Sequence, residues 1–242
     1  MPRYLSDENL EAIAARVLRA YLELPEVQNR SLINIDPVIL VNKLLGLKLE
    51  YQRLSRDDRI LGLTSFEELL VQLPEQKDKW FQLDGKTVLV EKDLRDDPNQ
   101  YGRRNFTITH EGGHHILKML FPRNYGPGIN ARSVLYYREG AKSDRSREEQ
   151  QVNTLTSFIL MPEFLIKQGM KLVGLEEKIE VLNRLWCREE YDKFCGVARL
   201  LGVSKQALSI RMKQLGLIGR DYLTNPREMM DIFMEEDFEL YD

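Results

Sequence analysis

All three histidines of this 242-residue chain fall within six consecutive positions, as His110, His114 and His115. Glu111 follows the first of them, so that His110-Glu111-Gly112-Gly113-His114 spells H-E-x-x-H. On an α-helix each residue turns by about 100°, and side chains four apart differ by only about 40° in direction. Two imidazoles at that spacing can reach one Zn²⁺, while the glutamate beside them flanks the ion without ligating it. A carboxylate so placed can take a proton from the attacking water, which is the chemistry of metal-assisted hydrolysis. The glycines inside the motif add a second signal. Each costs about 1 kcal/mol relative to alanine in a helix interior, so another element is expected to approach closely at Gly112-Gly113.

A catalytic zinc keeps three protein ligands, and the third lies outside the motif. The metzincin pattern would continue with a glycine and a third histidine, but Leu117 and Leu120 occupy those places. Cys187 and Cys195 are far downstream among separate helices. A carboxylate from a following helix remains, and the stretch Ser146-Arg147-Glu148-Glu149-Gln150-Gln151-Val152-Asn153 supplies two. Glu149 and Asn153 are four apart and share a face, so Asn153 can support a ligand histidine or Glu149 itself. Glu148 lines up with Val152, Leu155 and Ile159, an apolar row expected to face the core. Glu149 is therefore preferred over Glu148. Tyr125, Tyr136, Tyr137, Arg138 and His115 are the nearby candidates for stabilising an oxyanion.

These residues resemble the ImmA/IrrE family of zinc metallopeptidases. The likeness lies in the helix-entry phrase Arg104-Asn105-Phe106-Thr107-Ile108-Thr109-His110-Glu111-Gly112-Gly113-His114 and in a helix of the form E-x-x-A-N-x-F-A-x-x-L-L-M-P, here Glu149 to Pro162. Asn153, Leu160, Met161 and Pro162 are in register, whereas Val152, Leu155, Thr156 and Gly112 depart from the family's usual residues. The resemblance runs from about residue 35 to 220. It implies a cytoplasmic zinc endopeptidase that cleaves a helix-turn-helix repressor to relieve repression, with His110, His114 and Glu149 on the metal and Glu111 as general base. Mn²⁺ or Fe²⁺ in place of zinc stays open, as does a second reading, a DNA- or repressor-binding regulator whose metal site is structural or vestigial.

The elements that must position these residues read as an α+β chain. Ser6 caps a helix over 7–22, and Asp36-Pro37 starts another that stops before Gly46. Alternation at 47–52 and 60–64, and the runs 80–83 and 86–90 around Asp84-Gly85, predict a small antiparallel sheet whose last two strands form a hairpin. Helix is expected over 99–120 and 146–161, with a long loop over 122–145 between them. Beyond Glu163 the chain reads as helices alone. A metallopeptidase domain is expected over 1–185 and a helical module over 186–242. In that module Val197 to Met212 has the form of a helix-turn-helix, with Gly202 at the turn and Ser204 capping the second helix. Residues 191–220 carry six Lys or Arg against Asp192, compatible with phosphate contacts, while 221–242 carry eight acidic groups against Arg227.

Composition limits the alternatives. A net charge of -3 and 30% charged residues describe a globular chain rather than a polycation. No apolar run approaches the roughly 20 residues of a bilayer span, and the first residues lack a signal peptide's apolar stretch, so a cytoplasmic address is expected. Two cysteines are too few for a disulfide framework.

Overall fold

The computed structural model describes residues 5–28, 30–57, 59–75, 80–125, 133–137, 147–175 and 178–223, the segment 133–137 through its backbone alone. The chain separates into two compact units, Met1–Leu160 and Met161–Asp242. That division falls earlier than the 185/186 boundary expected from the sequence. The reason lies at Glu163–Leu172, a helix that packs on the next helix, Arg188–Leu201. Among the described residues no helix is long and apolar enough to cross a membrane.

The first unit opens with α1 (Asp7–Leu22), capped by the Ser6 hydroxyl, which accepts from Asn9 N. A short turn, α2 (Pro25–Gln28), leads to α3 (Pro37–Ile39), where the Asp36 carboxylate accepts from Val38 N and Ile39 N. This helix widens into a π-helical turn over Leu40–Leu44 before Gly46, whose φ of 65° ends it. Five strands follow, β1 (Lys48–Gln52), β2 (Ile60–Ser65), β3 (Glu68–Gln72), β4 (Trp80–Asp84) and β5 (Thr87–Glu91). Then come the long helix α4 (Tyr101–Leu120), strand β6 (Ser133–Tyr137) and α5 (Arg147–Leu160).

The sheet differs from the expected antiparallel one. Its order is β1-β5-β2-β6, with β1 and β5 parallel and the other pairs antiparallel. Strand β4 pairs with β3 in a separate two-stranded sheet. The Asp84-Gly85 turn is therefore a link between sheets and not a hairpin between β4 and β5. Its local chemistry is nonetheless that of a turn, since Asp84 Oδ1 accepts from Lys86 N at 2.9 Å and Thr87 Oγ1 at 2.8 Å, and Gly85 has φ 75°. What excludes the hairpin is β5 itself. Every one of its residues is buried, because it is a central strand whose two edges are taken by β1 and β2. The segment expected as loop over 122–145 contains β6, which completes the sheet beside β2.

The core of this unit lies on both faces of the sheet. Val88 and Val90 of β5 pack with Val41, Leu61 and Ile108 beneath α4, while Leu89 packs with Leu63 and Leu83 on the opposite face. Gln151 of α5 binds the rest together, its Oε1 accepting from Leu5 N at 3.0 Å and from the Tyr125 hydroxyl at 2.7 Å.

The second unit holds α6 (Glu163–Leu172), α7 (Arg188–Leu201) and α8 (Lys205–Gln214), but it is not helical throughout. Strands β7 (Ile179–Leu182) and β8 (Ile218–Asp221) pair in parallel around α7 and α8. Both strands are only four residues long, too short to impose an alternation that stands out among the helices. Gly202, with φ 66°, ends α7, and the Ser204 hydroxyl accepts from Ala207 N to start α8, so the two helices are joined by the turn read from the sequence.

Candidate metal centre

Helix α4 follows a 3₁₀ turn at Pro98–Gln100 and is buried around most of its circumference. Its two glycines make that possible. A Cβ at Gly112 would stand 3.1 Å from Leu45 Cδ1 and 3.2 Å from Val41 Cγ2, and one at Gly113 would stand 3.0 Å from Val152 Cγ1 of α5. The lost helix propensity is thus exchanged for close packing against the π-helical turn on one side and α5 on the other. Val152 lies three residues after Glu149, so the contact at Gly113 brings the first turn of α5 over His110 and His114.

There the donors converge. His110 Nε2 and His114 Nε2 are 3.1 Å apart, His110 Nε2 is 3.2 Å from Glu149 Oε2, and His114 Nε2 is 3.3 Å from Glu149 Oε1. Ligands held about 2.0–2.1 Å from a tetrahedral zinc stand about 3.3 Å from one another. The three groups therefore fit a single metal ion with little rearrangement, and this is the metal-capable cluster found among the described residues. Both imidazoles are fully buried, whereas the Glu149 side chain keeps 21% of its surface exposed.

Glu148 turns inward, but onto a histidine and not onto apolar carbon. Its Oε1 lies 3.4 Å from His114 Nδ1, on the ring's other side from Glu149. An outer carboxylate of this kind fixes the ring's orientation and tautomer. The apolar row containing Val152, Leu155 and Ile159 is buried as expected, but at the start of α5 the neighbouring surface is the polar edge of His114. Asn153 sits beside His110 and slightly favours its protonated form, although no hydrogen bond reaches its buried Oδ1.

The two histidines differ in protonation. Burial pushes His110 down to about 4, with Glu149 opposing the shift and the charge of His114 adding to it. Burial also works against charge on His114, but hydrogen bonds to Glu148 and Glu149 and the charges of Glu149 and Glu111 outweigh it and raise the ring to about 9. Burial likewise opposes charge on Glu149, yet the two histidines hold its carboxyl well below the usual carboxylate range. A metal ligand must be neutral imidazole, so an incoming ion displaces the His114 proton at neutral pH. Affinity for a divalent ion should then rise about tenfold per pH unit toward about pH 9, with roughly one proton released. Calorimetric titration with Zn²⁺ in buffers of different ionisation heat measures this directly, and an enthalpy independent of the buffer would contradict it.

Glu111 is fully buried, and neither carboxylate oxygen has a hydrogen-bond partner. Burial raises its carboxyl to about 8, the charge of Glu149 adding to the shift and that of His114 opposing it.

Two of the other sequence candidates, Tyr125 and His115, do not join the cluster. Tyr125 is buried with its hydroxyl committed to Gln151. His115 Nε2 lies 2.6 Å from Thr64 Oγ1 of β2, and its ring meets Phe66 edge-on, so it braces α4 against the sheet. Only the backbone of Tyr136 and Tyr137 is described, in β6, and Arg138 lies outside the described residues. In comparisons with known proteins, no family model matches the chain and no curated protein matches it.

Proposed function

We propose that the chain is a zinc-dependent endopeptidase. The observation that carries this reading is the convergence of His110 and His114 from α4 with Glu149 from α5, beside a buried glutamate that ligates nothing. Two imidazoles and one carboxylate are a donor set of catalytic zinc, which leaves a fourth coordination position for water. Manganese and iron take the same donors, and the H-E-x-x-H spacing is what favours zinc. A zinc ion held there supplies Lewis-acid polarisation of the peptide carbonyl and of the attacking water. Glu111 accepts the water's proton as oxygen bonds to the carbonyl carbon, then passes that proton to the amine nitrogen as the C–N bond breaks. In the metal-free site burial favours its protonated carboxyl, the form that returns a proton to the leaving amine. Glu148 keeps His114 aimed, and Asn153 supports His110.

The substrate implied by the family resemblance is an intracellular helix-turn-helix repressor. The second reading, a DNA- or repressor-binding regulator, draws on α7 and α8 with their Gly202 turn, and on Lys205, Gln206, Ile210 and Lys213, which α8 leaves exposed. Its basic face is smaller than the sequence count, however. Arg211 is buried and its Nε donates to Met161 O, and Lys205 lies over the Tyr191 ring. Digestion of a tryptic peptide library by the zinc-loaded full chain, read as new N-termini, tests the first reading. Cleavage should vanish with a chelator and return with Zn²⁺. No cleavage, together with salt-dependent duplex binding that persists without metal, would favour the regulator.

A further inference from the structure

A carboxylate that moves protons must be aimed, yet no hydrogen bond holds either oxygen of Glu111. Its surroundings must therefore fix it by shape. The decisive neighbour is Gly62 of β2. A Cβ built there would overlap Glu111 Oε1 and come within 2.9 Å of Cγ and Cδ.

The strand reaches this arrangement through a bulge. Against β6, Ile60 pairs with Tyr137 and Gly62 with Tyr136, so β2 advances two residues while its partner advances one. An extra residue shifts side-chain parity on one side of the irregularity. The packing shows that shift. Leu61 joins Val88, Val90 and Ile108 on the α4 side, whereas Leu63, two residues on, joins Leu83 and Leu89 on the other side. Gly62 and Thr64 face α4, Gly62 through its contact with Glu111 and Thr64 through its hydrogen bond to His115. Consecutive residues Leu61 and Gly62 thus turn to the same face. The leucine fills the core under Ile108, and the position that meets the carboxylate carries no side chain.

We propose that Gly62, presented by this bulge, is the positioning residue for Glu111: the hollow it leaves in β2 is the socket that fixes the carboxylate beside the metal ligands. The role rests on the reading of Glu111 as the proton-transferring group, whereas the socket itself does not. Gly62 has no left-handed φ, so alanine is free to adopt its backbone and the effect of substitution falls on Glu111.

Four full-length proteins test this: the parent, Gly62→Ala, Glu111→Ala and the double variant, each measured for thermal unfolding, Zn²⁺ content and cleavage of the peptide library. In the parent background Gly62→Ala should lower the unfolding midpoint by on the order of 5 °C, the effect of one overpacked position. In the Glu111→Ala background the same change should leave it unaltered or raise it, because the added methyl fills space already vacated. Zinc content should remain at the parent level throughout, since His110, His114 and Glu149 are untouched. Cleavage by Gly62→Ala should fall about 100-fold, the effect of a displaced catalytic group. Equal midpoint shifts in the two backgrounds would overturn the socket, and undiminished cleavage by Gly62→Ala would overturn its positioning role. Should Gly62→Ala fail to fold, recovery of folded protein in the double variant shows the same coupling, and failure of both overturns it. A zinc-loaded parent that cleaves nothing would sink the peptidase reading, while the unfolding cycle still decides the socket.

Discussion

A Glu149→Ala chain should emerge from purification without its metal. Glu149 supplies the one donor to the cluster that comes from outside α4, at 3.2 Å from His110 Nε2 and 3.3 Å from His114 Nε2. Two imidazoles alone leave the ion with water for its remaining positions, and the carboxylate's charge is lost with its oxygens. Removing an outer partner of a ligand typically costs 10–100-fold in affinity, so loss of a ligand should weaken Zn²⁺ binding by more than about 100-fold. Glu148→Ala is the internal comparison. It removes the group 3.4 Å from His114 Nδ1 but no donor, so binding should weaken by about 10–100-fold and the ion should still be retained at saturating zinc. Competition titration against a chelator of known affinity resolves both changes. Equal losses in the two variants would show that Glu149 is not a ligand in any sense that Glu148 is not. The reverse order would make Glu148 the third donor, with α5 rotated from its place in the structure.

The contrast between these two glutamates also shows how far the sequence could be read. Helical periodicity separates Glu148 from Glu149 by 100° and identifies which one shares a face with Asn153, and the structure places that one at the histidines. Periodicity alone treats a helix as having one core-facing side. It has no means of knowing that the first turn of α5 meets a polar ring edge while the next turns meet aliphatic carbon. Gly112 and Gly113 were legible for a related reason. Two costly residues within a helix imply close neighbours, even though Val41, Leu45 and Val152 could not be named.

Pairing of strands was less legible, since it depends on distant segments. Asp84-Gly85 has all the local chemistry of a hairpin turn, and local chemistry cannot tell whether the strand that follows already has two partners. The signal against a hairpin was the unbroken apolar run of Val88, Leu89 and Val90, which suits a strand covered on both faces. Ser133-Val-Leu-Tyr-Tyr137 is likewise a strand-forming run, obscured by the turn residues around it. The role of Gly62 was only half legible. A glycine between leucines in a short strand signals a bulge or a close approach, and only the fold shows that both are present and that the approaching group is Glu111.

Exchange of that group's acid for an amide separates chemistry from architecture. Glu111→Gln keeps the side chain's length and the fit against Gly62, and it leaves His110, His114 and Glu149 unchanged, so zinc content should equal that of the parent. Proton transfer is what disappears. General acid–base catalysis contributes typically 10²–10⁴-fold, and cleavage of the peptide library should fall by about that factor. Stability should move the other way. With its carboxyl raised from 4.5 to about 8 by burial, Glu111 binds a proton in the folded chain over a range where the unfolded chain has released it. The metal-stripped parent therefore loses stability as pH rises from about 4.5 to about 8, and this contribution stays lost above that range. A glutamine does not titrate, so the variant lacks this slope, and at pH 8 it should unfold at a higher temperature than the parent. Stability gained and cleavage lost, with the metal retained, would together mark a buried acid held in place by its function. Full cleavage activity in Glu111→Gln would remove the proton-transfer role, whatever the metal content proves to be.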